Sequence, residues 1–174
     1  MKQQAGKVIF NYAGFQIGWF LLVLTQSAWA IFWALGFLAI HAVLSGNRRE
    51  WQAVIPVMIV GLLIDLAWHL SPAVEFLGTG QPMPLWLVGL WLMFPLTLNH
   101  SLAWLKGRRS LQIILGVFGG GGSYVAGTQF GAATMEAWAL IAVPLAWGIW
   151  LPLFYWWIDV TNGTTAPITL TRPR

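Results

Sequence analysis

The residues able to do chemistry are few, and most sit inside apolar surroundings. Asp65 and His69 lie four residues apart within an apolar stretch. On a helix that spacing puts both side chains on one face, within reach of each other. A carboxylate and an imidazole so placed can relay a proton, ligate a metal, or neutralise each other and fix packing. Asn99 and His100 are neighbours in a second stretch and point about 100° apart, so only one can face a bundle interior. His41 and Asn11 fall at similar depth in two further stretches. Asn11, His41, Asn99 and His100 are therefore expected to converge below the bilayer midplane, lining a cavity or bonding helix to helix. Gln16 sits near mid-depth, in line with Tyr12 and Trp19. Glu136 opens the last apolar stretch, as a ligand contact or as a first-turn acid that suits the helix macrodipole. Asp65, His69 and His100 are thus the candidate catalytic residues, and Asn11, Gln16, His41, Asn99 and Glu136 the candidate ligand contacts.

Other chemistries lack their parts. Three His and Asp65 match zinc ligands by type. However, His69 is separated in depth from His41 and His100 by on the order of 10–15 Å at the helical rise. No metal site and no cofactor is expected. No HxxxH pair occurs, and the Gly119–Gly122 run lacks the following Lys-Ser/Thr of a phosphate loop. Ser101 adjoins His100, but adjacent helical residues do not face each other.

These residues need elements to hold them, and composition says which kind. The chain has 174 residues, 58% hydrophobic and 8% charged, with no cysteine, and a mean hydropathy of +0.70. Soluble domains carry about 25% charged residues. That excludes a soluble enzyme, a disordered chain and a disulfide-stapled domain. Nucleic acid is not an expected partner, because nine basic residues spread along the chain make no phosphate-tracking stripe. An all-α integral membrane protein remains.

Cutting at charged and Pro/Gly-rich breaks leaves six apolar stretches, at about 8–24, 28–44, 52–70, 84–105, 111–130 and 135–157. Each is close to the roughly 17–25 residues that cross a bilayer as helix. They predict a six-transmembrane-helix domain over 1–157 and a polar tail over 158–174. Thr25, Gln26 and Ser27 alone join the first two spans, so these form a tight hairpin. Lys2 and Lys7 precede the first span, Arg48 and Arg49 follow the second, Lys106, Arg108 and Arg109 follow the fourth, and Arg172 and Arg174 follow the sixth. With six spans every basic residue falls on one side, which predicts cytoplasmic termini. Ala28-Trp29-Ala30 mimics a signal-peptide cleavage site. Asn11 and Gln16 interrupt the preceding run, and the next span starts at once, so a retained helix is expected.

Thirteen Trp accompany these spans. Trp51, Trp86, Trp104, Trp138, Trp156 and Trp157 lie near span ends, as in an aromatic belt. Trp19, Trp33, Trp68, Trp91, Trp147 and Trp150 lie deeper, facing lipid, packing between helices, or walling an aromatic cavity. Gly14 and Gly18 make a small-xxx-small face for close helix approach. Gly116, Gly119–Gly122 and Gly127 make the fifth span a close packer or a broken helix. Pro56, Pro95, Pro144 and Pro152 each remove a helical hydrogen-bond donor. Asn162-Gly163-Thr164 fits a glycosylation sequon but reads as a turn in the cytoplasmic tail.

Asn11-Tyr12-Ala13-Gly14-Phe15-Gln16-Ile17-Gly18-Trp19-Phe20 resembles the opening of a family of small bacterial inner-membrane proteins catalogued as a domain of unknown function. The stretch from Pro84-Leu85-Trp86 through Thr97-Leu98-Asn99-His100-Ser101-Leu102, the Gly-rich fifth span with Tyr124–Gly127, and Asp65 fit it too. The resemblance implies a multi-pass inner-membrane protein encoded near fatty-acyl-modifying enzymes such as cyclopropane fatty-acid synthases. It implies membrane lipid, and a lipid-modifying enzyme, as partners. It carries no catalytic residue. Three functions stay open: an accessory or lipid-binding component of lipid modification or envelope stress response; an intramembrane lipid enzyme using Asp65 and His69 or His100; and a small proton-coupled transporter. The oligomeric state is not readable.

Overall fold

The computed structural model describes residues 2–44, 47–78 and 82–163, with side chains from residue 5 onward. It is 79% helical. The helices are α1 (Lys2–Thr25), α2 (Ile31–Leu44), α3 (Arg48–Leu70), α4 (Leu85–Leu98), α5 (Arg109–Leu115), α6 (Gly122–Gln129) and α7 (Ala139–Thr161). A π-helical turn, Gly116–Gly121, joins α5 to α6 into one continuous rod. Among the described residues, three helical stretches are long and apolar enough to cross a membrane: Ala5–Thr25, Arg48–Leu70 and Ala139–Thr161. Large apolar side chains such as Ile9, Val43, Phe118 and Ile141 stand exposed on the outside. Such a surface suits a hydrocarbon solvent better than water.

The expected hairpin of α1 and α2 forms. Gln26 adopts φ 49° in the turn, and Ser27 caps a short 3-10 turn at Ala28–Ala30 by accepting from Trp29 N. At the other end Lys7 Nζ donates to the Leu44 carbonyl. Two glycines let the partners close in. A Cβ on Gly14 would stand 2.8 Å from the Phe37 ring, and one on Gly18 would stand 2.5 Å from Met93.

Three sequence expectations need correcting. The fourth span does not run helically to residue 105: α4 ends at Leu98, the chain turns, and a 3-10 turn covers Ala103–Leu105. The cause is a side chain of α1. Asn11 Oδ1 accepts from Ser101 N at 3.1 Å and from Ser101 Oγ at 2.6 Å, while Asn11 Nδ2 donates to Leu96 O. These bonds satisfy backbone groups that a continuing helix would otherwise use. Next, the fold is not purely helical. Val74–Phe76 (β1) and Ala133–Met135 (β2) pair antiparallel, with Glu75 opposite Thr134. Strands this short, inside connecting segments, leave no periodicity to read. Finally, α7 begins at Ala139, leaving Glu136 exposed in the preceding turn, and ends at Thr161, past the expected start of the tail. Residues 164–174, with Thr164, Arg172 and Arg174, lie outside the described residues, as does the side chain of Lys2.

α4 is the hub, packed on α1, α2 and α3, while α7 packs along the rod and against α3. The rod approaches α7 through its glycines. A Cβ on Gly116 would meet the Trp147 carbonyl at 2.3 Å, one on Gly120 the Trp147 ring at 2.4 Å, and one on Gly121 Pro144 Cα at 2.4 Å. The rod is thus a close packer and unbroken, with one face left over: a Cβ on Gly119 or Gly122 would meet no atom within 4 Å.

Candidate functional site: two carboxylate nodes on one helix

Asp65 and Glu50 both project from α3, and each collects partners from other helices. Asp65 is buried. Its Oδ2 accepts from Trp91 Nε1 of α4 at 2.6 Å, and its Oδ1 accepts from the Tyr124 hydroxyl of α6. Among the described residues no cation pairs with it. Trp91 is seated by Gly61, one turn before Asp65, where a Cβ would stand 2.0 Å from the indole. The Trp91 ring stacks on Trp147 at 5.8 Å and 9°.

His69 does not join Asp65, although the spacing permits it. Both Asp65 oxygens are taken by an indole and a phenol. The His69 ring lies against Phe76 of β1, and its buried Nδ1 has no hydrogen-bond partner among the described residues. The expected acid–base pair is therefore replaced by an Asp–Trp–Tyr node.

That node forms part of the wall of a cavity of about 460 Å³. Trp19 and Gln16 of α1, Trp91 and Phe94 of α4, Trp147 of α7, and the glycine face of the rod also line it. Phe76 and Ala133 of the β-ribbon line it as well. Its origin is a packing gap. α1 packs on α2 and α4 but not along the rod. The two meet near the ribbon, where Trp19 sets its edge against Phe130 and Gln26 Nε2 donates to the Phe130 carbonyl at 3.4 Å. Trp86, expected at the interface belt, is instead buried in this wall and donates to Leu77 O at 2.7 Å. Trp104, Trp138 and Trp156 are exposed.

The second node is at the other end of α3. Asn47 accepts from Glu50 N and starts the helix, so Glu50 falls in the first turn, where the macrodipole favours a carboxylate. One oxygen, Oε1, lies 3.3 Å from His41 Nε2 and 2.6 Å from His100 Nε2. The two imidazoles are perpendicular, with centroids 4.7 Å apart. His41 and Glu50 are buried, and His100 keeps 19% side-chain exposure. His41 and His100 do converge, then, but not with Asn11 and Asn99: Asn11 closes α4, and Asn99 Oδ1 accepts from Lys106 Nζ at 2.7 Å. Glu50 is the residue that sequence reading missed. Next to Arg48 and Arg49 it looks like a loop charge, and only its place four residues before Val54, at the head of an apolar helix, hinted otherwise.

No curated protein and no solved structure matches the chain. A family profile does, over residues 8–153. This stretch holds both nodes and every residue named in the cavity wall, so the chain belongs to the family described as "Protein of unknown function (DUF2878)".

Proposed function

We propose that this is a bacterial inner-membrane protein with six spans and cytoplasmic termini that holds a lipid acyl chain in the cavity between α1 and the α5–α6 rod. It would serve as an accessory, lipid-binding component of membrane-lipid modification or envelope stress response. The observation that carries the reading is the cavity itself. Its volume falls within the roughly 300–1,000 Å³ of small-ligand sites. It is walled by aromatic and aliphatic side chains, and its polar groups are few: Asp65, Tyr124, Gln16 and Ser123. The gap lies between two helices that do not pack on each other, so a chain could enter sideways from the bilayer. Gly119 and Gly122 leave room for it.

The six-span arrangement draws support from the hairpin of α1 and α2, whose basic ends meet through Lys7 and Leu44. Arg48, Arg49, Lys106, Arg108 and Arg109 flank the other ends expected on that side. An enzymatic reading through Asp65 and His69 loses its pair, since the two do not meet.

Lipidomics of the protein extracted in native nanodiscs tests the reading. Gly122→Leu puts a side chain into open space on the cavity wall. Wild type should hold bound lipid against washing, and Gly122→Leu should hold at least about tenfold less, a difference of about 1.4 kcal/mol. Equal retention by the two folded proteins would overturn the proposal.

A further inference from the structure

We propose that His41, Glu50 and His100 form a binding site for a divalent transition-metal ion, with zinc as the best fit. His41 of α2 and Glu50 in the first turn of α3 face each other across a short connection, and His100, in the turn after α4, joins them from 50 residues along the chain. Their ligand atoms all lie within 4.8 Å of one another. Zinc–nitrogen and zinc–oxygen bonds of about 2.0–2.2 Å place tetrahedral ligands about 3.3 Å apart. Small side-chain shifts around the present 2.6 Å and 3.3 Å separations would admit the ion. The perpendicular rings turn both Nε2 atoms to the same carboxylate oxygen rather than stacking.

The donor set narrows the ion. Two imidazoles and a carboxylate suit zinc and its first-row neighbours. Calcium and magnesium take oxygen ligands throughout, and a chain without cysteine offers no thiolate. Three protein ligands leave a fourth position open, the arrangement of sites that bind water or a substrate oxygen. The surroundings fit as well. Phe37 stacks on His41 at 6.2 Å and Trp51 sets its edge against it at 6.0 Å, giving an apolar shell, while the partly exposed His100 provides an approach. Asn47 fixes the backbone of Glu50 through the helix cap. The cavity lining contains none of the three ligands, so this site and the lipid reading stand or fall separately.

The test uses the full chain, purified through a tag without histidine, stripped with chelator, equilibrated with micromolar Zn²⁺ and washed. Mass-spectrometric metal analysis should find about one zinc per chain, as expected for a single site. Glu50→Gln and His100→Gln should each lower zinc affinity at least about tenfold, since each removes a ligand. His69→Gln, remote from the cluster, should keep it. Cobalt-loaded wild type should show the visible d–d bands of a four-coordinate site, and Glu50→Gln should not. Should either variant fail to fold, the cobalt spectrum of wild type and its loss on adding zinc decide the matter. Wild type that retains only traces of zinc, or zinc that survives in folded Glu50→Gln and His100→Gln, would overturn the proposal and leave the cluster as a hydrogen-bonded triad.

Discussion

Glu50 and Asp65 are two carboxylates on one helix, about 22 Å apart along its axis at 1.5 Å per residue, yet their partners differ in kind. Asp65 is met by an indole N–H and a phenol, which can only donate a hydrogen bond to it or, for the phenol, accept one. Glu50 is met by two imidazoles, which can carry a charge or bind a metal. The chemistry of a buried acid is thus set less by its own identity than by which residues the neighbouring helices bring to it. One node is built to be a fixed polar point in an apolar wall. The other is built from groups that change state.

Breaking the Asp65 node should have the largest effect on stability. Asp65→Ala strands two buried donors at about 1–3 kcal/mol each, so roughly 2–6 kcal/mol should be lost in denaturant or thermal unfolding of the purified protein. Asp65→Asn should lose only about 1 kcal/mol, because an amide can accept from Trp91 and donate to the Tyr124 oxygen. Equal losses for the two variants would mean that the charge, and not the hydrogen bonds, is what Trp91 and Tyr124 serve.

Glu50→Gln should fall next, at about 1–2 kcal/mol in metal-free protein, since the amide keeps one acceptor for the two imidazoles. Asn11→Ala should lose a similar or slightly smaller amount, roughly 1 kcal/mol, by undoing the closure of α4 at Ser101. Hydrogen exchange should then rise at Leu98–Leu105 and not around Asp65. Smallest of all, Gly119→Ala and Gly122→Ala should shift stability by less than about 0.5 kcal/mol, whereas Gly116→Ala should lose about 1–3 kcal/mol by overpacking against the Trp147 carbonyl. That contrast separates the face of the rod that packs from the face that lines the cavity.

Much of this architecture was legible in the chain. The apolar runs at 8–24, 28–44, 52–70 and 135–157 overlap α1, α2, α3 and α7, whose ends differ from them by up to six residues, because hydrocarbon-length segments are the strongest signal a sequence carries. The close approach at Gly14 and Gly18 followed from residue size. Asp65 stood out because an acid within an apolar span needs partners. What could not be read is which helix supplies them. Trp91 and Tyr124 reach Asp65 from 26 and 59 residues along the chain, and no periodicity encodes such pairings. His69, correctly spaced, lost to them. Glu50 escaped notice because a charge beside two arginines looks solvated until α2 and the end of α4 close over it. The early end of α4 was hidden for the same reason: Asn11 dictates it from another helix.

The π-helical turn at Gly116–Gly121 has a consequence for phase. A wider turn holds about one residue more than an α-helical turn, which rotates everything downstream by about 100° relative to an unbroken α-helix. At its first residue Gly116 abuts the backbone of α7, and downstream of it Tyr124 points to Asp65. Rewinding the run as regular α-helix at unchanged length would swing the phenol about 100° away from the carboxylate, whereas losing one glycine together with the wide turn would leave its direction unchanged. The repeat of four glycines is therefore a register setting whose winding, as much as its composition, aims α6 at the acid it serves.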